Sequence, residues 1–136
     1  MKLVAIYLTV AGIITAILLR VGPVPTYFEL AKNNVETKGT VVRTTCGDHM
    51  SFQYKFSVGA REFKSRAAET VSKICTELTP GEAVTVFYLP SDPTISTTAN
   101  PRNQLANEAA SEGLATFIFP ALGMWAYWRR KKRNAA

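Results

Sequence analysis

The sequence predicts an α+β membrane protein in which two transmembrane helices flank a small, mainly antiparallel β domain, barrel-like or sandwich-like, with one short helix. Three observations carry this. Apolar runs occupy both ends of the 136-residue chain, Leu3 to Val21 and Leu114 to Trp128. The second run ends in Trp125, Tyr127 and Trp128 and meets Arg129, Arg130, Lys131, Lys132 and Arg133, the order of a span, an aromatic interfacial belt and a cytoplasmic anchor. Between the runs, stretches of β-branched and alternating residues are punctuated by Gly, Pro and Asp.

The formal charge of +6 is distributed unevenly. From Gly22 to Gly113 nine Lys/Arg face ten Asp/Glu, whereas Lys2, Arg20 and the five tail cations hold the excess. The middle region has no basic stripe interleaved with stacking aromatics, so no nucleic-acid partner is expected. The tail cations set topology instead: both termini cytoplasmic and the loop of roughly 90 residues outside, too long for its own charges to control orientation. The lipid bilayer is the first expected partner, with anionic headgroups at the tail as a second.

Residues 1–21 are read as an uncleaved signal anchor. The run exceeds a usual signal-peptide core, and Ile17-Leu18-Leu19-Arg20 lacks a small-residue cleavage pattern. Gly12 and Ala16 form a small-xxx-small pair that would let a helix approach, or are the small residues common in any span. Residues 22–34 form an interfacial linker and short helix, started by a Thr26-x-x-Glu29 capping box.

Residues 35–99 are the β domain. Thr40 to Thr45 is rich in β-branched residues, and Met50 to Val58 alternates, apolar at even positions. Gly47-Asp48-His49 is the loop between these strands, and Gly59-Ala60 turns the chain into a hairpin with Arg61 to Lys64. Ala67 to Leu78 returns to helical spacing, with Ala67, Val71, Ile74 or Cys75 and Leu78 on one side. Thr79-Pro80-Gly81-Glu82 breaks it, and Ala83 to Leu89, apolar almost throughout, is expected as a central strand. Thr94 to Ala99 is a polar return toward the membrane. In residues 100–128, Asn100 caps a helix with Pro101 first, continuing for about 42 Å into the second span with a kink at Pro120. The apolar part alone, 15 residues or about 22 Å, is short for a bilayer core. Residues 129–136 are the basic tail.

Lys38-Gly39-Thr40-Val41-Val42, Phe52-Gln53-Tyr54-Lys55-Phe56-Ser57-Val58-Gly59 and Pro80-Gly81-Glu82-Ala83-Val84-Thr85-Val86-Phe87-Tyr88-Leu89-Pro90-Ser91-Asp92-Pro93 together resemble the bacterial membrane family termed domain of unknown function 3592. The resemblance covers roughly Gly39 to Ser96. It implies spans on either side and the setting of a bacterial inner membrane with a periplasmic or extracellular domain. Its motif positions are strand and turn residues, which specify a fold rather than an activity, so it implies no catalytic residue.

Cys46 and Cys75 are the only cysteines, and the topology places both where oxidation is favoured. A disulfide between them is the first reading and two free buried thiols the second. A metal site of Cys46, Asp48, His49 and Cys75 has suitable ligand types without the spacing of a zinc module. His49, the single histidine, sits in a polar turn, and Glu62, Glu69 and Glu77 lie among cations as solvated faces. Neither a phosphate-binding glycine loop nor a dinucleotide fingerprint is present. The expectation is therefore a non-enzymatic interaction or accessory module without a cofactor, engaging an envelope membrane or periplasmic protein or further copies of itself. A small-ligand- or metal-binding domain, or a weak enzyme, centred on His49, Cys46 and Cys75 is the alternative. A channel is disfavoured because neither span holds an internal charge.

Overall fold

A computed structural model describes residues 2–47 and 50–133, without the side chains of Lys2, Leu3, Lys131 and Lys132. The chain is α+β and divides into two compact units, Met1–Pro25 with Ala106–Ala136, and Thr26–Leu105. Its helices are α1 (Lys2–Val21), α2 (Val24–Asn33) and α3 (Pro101–Arg133), and its strands are β1 (Val35–Thr45), β2 (Ser51–Val58), β3 (Arg61–Ala67), β4 (Ala83–Leu89) and β5 (Asp92–Thr97).

The five strands form one antiparallel sheet in the order β3-β2-β1-β4-β5. The edge strands β3 and β5 come into contact, so the sheet is nearly closed. The apolar β4 is an interior strand, as expected, paired with β1 and β5, and the middle position belongs to β1. Only an 11-residue strand can pair β4 along Val35 to Thr40 and β2 along Gly39 to Thr45, with a register shift between Val41 and Arg43. The two ladders overlap at Gly39 and Thr40. A Cβ at Gly39 would lie 2.6 Å from Val86 Cγ2 and 2.8 Å from the Lys55 carbonyl oxygen, so only glycine lets the three strands approach.

The alternation in β2 works as its spacing predicts: Phe52, Tyr54 and Phe56 are buried, and Lys55 and Ser57 are exposed. Together with Val41, Val84, Val86, Cys75 and Leu78 they make the core. Phe56 stacks against Phe63 at 5.6 Å and approaches Tyr88 at 5.7 Å. The turns fall at the glycines, with Gly59 at φ 58° and Gly81 at φ 90°.

Tyr54 fastens the closure. Its side chain is fully buried, and its hydroxyl shares a 3.0 Å hydrogen bond with Ser96 Oγ of β5. Burial raises the phenol pKa above its ordinary value, and hydrogen bonds with Ser65 and Ser96 oppose that rise. The stabilisation from keeping the phenol neutral is complete below the unfolded-state value of about 10 and is lost as pH rises through the higher folded-state value. Tyr54→Phe is expected to cost about 1 kcal/mol at neutral pH and to flatten the loss of stability above about pH 10, read by thermal melts across pH. Equal alkaline slopes in the two proteins would show that Tyr54 does not titrate with unfolding.

Three local expectations are corrected. The helix expected over Ala67 to Leu78 is absent: β3 runs to Ala67, and only Cys75–Glu77 forms a single 3₁₀ turn. The Thr70 hydroxyl oxygen accepts from the Ser72 and Lys73 amides, at 3.3 and 2.9 Å, and Glu69 bridges Ile74, so local turn bonds replace helical ones. The polar return after Pro93 contains β5, an edge strand where proline is tolerated. Finally, α2 starts at Val24, which places Pro25 in its first turn and Thr26 inside the helix rather than at its cap. Glu29 instead accepts from Asn33 Nδ2 at 3.0 Å.

Among the described residues, one helix is long and apolar enough to cross a membrane, α1 over Val4–Val21, a test that an N-terminal signal sequence also passes. Asn100 caps α3 as its residue type predicts, its Oδ1 accepting from the Arg102 amide at 3.0 Å with Pro101 first in the helix.

Candidate functional site

At one end of the sheet the β1–β2 connection begins with Cys46 and Gly47, and Cys75 opens the 3₁₀ turn. Cys46 and Cys75 form a disulfide with a Cα–Cα distance of 5.6 Å, closing 29 residues of sequence. Cys75 is fully buried in the core. Both sulfurs are bonded to each other, so neither is a thiolate able to bind metal or attack a substrate. His49 and Asp48, the other candidate ligands, lie outside the described residues, among which no cluster of three or more His, Cys, Asp or Glu could hold a metal.

The disulfide joins two loops that carry exposed apolar side chains: Met50 on one, Val71 and Ile74 on the other. Met50 has a positive φ of 45°, a conformation that costs a non-glycine residue free energy. The helical spacing that grouped Val71 and Ile74 with buried residues thus misplaces them; each is about half exposed.

The next connection, Thr79 to Glu82, closes on itself, with Glu82 accepting from the Thr79 amide at 3.1 Å while its own amide donates back to the Thr79 carbonyl. Glu82 also pairs with Lys73. The Lys73 hydrogen bond, then the Thr79 amide, hold its carboxyl below the usual glutamate value. Glu62, bonded to Lys55 at 3.0 Å and 3.7 Å from Lys64, is lowered for the same reason, chiefly by Lys55. Both are solvated ion pairs, which explains the carboxylates without assigning them chemistry.

In the helical unit, α1 and the C-terminal part of α3 pack along one seam. Tyr7, Ala11, Ile14 and Leu18 of α1, with Gly22 just after its end, are the covered positions, a spacing of four, three, four and four. Facing them are Glu112, Thr116, Pro120 and Met124, and Tyr7 Oη donates to the Phe117 carbonyl at 3.2 Å. Gly12, by contrast, has open space where a side chain would be, so the small-residue pair Gly12 and Ala16 is not on this seam. Beyond the seam Arg129 lies over the Trp125 ring, 4.1 Å from its centroid.

Glu112 is the residue that sequence reasoning passed over. It lies at the seam opposite Gly22, where a Cβ would overlap its Oε1 and the Leu18 carbonyl oxygen. That Oε1 is buried and has no hydrogen-bond partner. A carboxylate two residues before an apolar run was the available signal, but its burial depends on a glycine ninety residues away in sequence.

A family profile described as domain of unknown function (DUF3592) matches residues 33–103, and the chain belongs to that family. No curated protein and no solved structure matches it. The matched span holds all five strands and the disulfide.

Proposed function

We propose that this member of the domain of unknown function family is a two-span protein of the bacterial inner membrane. Both termini are cytoplasmic, and the β domain is held outside as a non-enzymatic interaction or accessory module of the envelope. The observation that carries this reading is the exposed apolar surface of the helical unit. Leu8, Ile13, Ile17, Phe117, Ile118 and Leu122 are each about half exposed or more, as are further large apolar residues on both helices. So much exposed apolar side chain on a helix pair calls for a lipid or protein environment. The Trp125–Arg129 contact fits the aromatic belt and cationic stop of a span's cytoplasmic end, and the disulfide fits an oxidising compartment.

The contact surface of the module is the disulfide-joined loop pair bearing Met50, Val71 and Ile74. Strand addition is the less suitable mode, because β3 and β5 lie against each other. External protease added to spheroplasts is expected to digest the β domain while a C-terminal epitope stays intact until lysis. A protected β domain, or a tail cleaved from outside, would overturn the topology.

A further inference from the structure

The cavity beside the α1–α3 seam has a volume of about 280 Å³ and is lined in part by Thr15, Leu18, Glu112, Gly113 and Thr116. Its polar groups are all acceptors. Thr15 Oγ1 donates to the Ala11 carbonyl and Thr116 Oγ1 to the Glu112 carbonyl, each at 2.9 Å, so both hydroxyls turn lone pairs outward. Glu112 Oε1 is buried and receives nothing. A carboxylate oxygen withdrawn from water without a donor is costly, and an acceptor-only pocket is complemented by a group that only donates, an ammonium or a guanidinium.

The chain carries such a group at the right level. Arg20 is two residues from Gly22, whose Cα faces Glu112, a rise of only about 3 Å along α1. Two residues are also about 200° around the helix. Since Leu18 and Gly22 face α3, Arg20 lies on the far, exposed side of α1, away from its own Glu112. Copies in one membrane share their orientation, so the Arg20 of a neighbour stands at the depth of this cleft.

We propose that the chain self-associates through this cleft, the Arg20 guanidinium of one copy entering the cavity of the next and pairing with Glu112. Each copy offers one arginine on one side and accepts one on another, so the contact is head-to-tail rather than two-fold. The proposal rests on the two helices lying together in a membrane, whereas its readout, stoichiometry, is separate from the protease assay of topology.

The test uses the full chain in nanodiscs and detergent, with stoichiometry by native mass spectrometry over a protein dilution series. Wild type is expected to be oligomeric. Glu112→Arg and Arg20→Glu are each expected to weaken association about a hundredfold or more, and the double exchange, which restores the pair with its signs reversed, to recover it. Formation of the Cys46–Cys75 disulfide and an unchanged melt of the β domain identify single variants that have folded. A monomeric wild type, loss on changing Glu112 without loss on changing Arg20, or a folded double variant that stays monomeric would each overturn the proposal.

Discussion

Phe52→Ala is expected to destabilise the β domain by about 3–5 kcal/mol, the largest effect of any single truncation here. Phe52 has no exposed surface, its ring centroid lies 6.1 Å from that of Tyr54, and its strand is paired on both sides, to β1 at Thr44 and to β3 at Ala67. With the backbone held in two ladders the site cannot collapse, and a cavity remains. A domain of this size has about 5–15 kcal/mol of stability in all, and its melting midpoint moves about 4–8 °C per kcal/mol. Thermal melts by circular dichroism should therefore show a fall of more than 10 °C for Phe52→Ala, and a much smaller one for the more volume-conserving Phe52→Leu. A midpoint within 2–3 °C of wild type for the alanine variant would remove Phe52 from the core that this structure assigns it.

Removing the disulfide comes second, at roughly 3–4 kcal/mol on the chain-entropy model for a loop of about 30 residues. The double variant Cys46→Ala with Cys75→Ala is preferable to a single one, which would leave an unpaired thiol. The loss should be concentrated in the connection from β3 to β4, where the backbone is held by turn bonds around Thr70 and by Thr98 Oγ1 donating to the Glu69 carbonyl at 2.7 Å. Hydrogen exchange should accelerate there before it does in β1 and β2, which keep both ladders. If reduced and oxidised protein unfold at the same denaturant concentration, the bridge contributes nothing to stability.

Much of the β domain was legible because its signals are local. The even-position alternation of Phe52, Tyr54 and Phe56, the breakers at Gly59 and Gly81, and the Asn100-Pro101 start of α3 each act within a few residues. The misreadings share a cause as well. Ala67 to Leu78 has a helical spacing of apolar residues, but Thr70 and the tether at Cys75 hold it in turns, with Val71 and Ile74 outside. Asp92 to Thr97 has few apolar side chains because an edge strand needs few, and its pairing with Phe87 to Leu89 supplies what composition does not.

By itself the sequence determined where chain direction changes, which strand face turns inward, and that both ends are apolar, since turn chemistry and periodicity are properties of neighbouring residues. Only the tertiary structure decided that β1 takes the middle of the sheet, that Tyr54 reaches across from β2 to Ser96 of β5, and that Glu112 Oε1 is buried against Gly22. Each depends on which distant segment arrives at a given place. That is a matter of packing volume and unpaired polar groups, which no local pattern records.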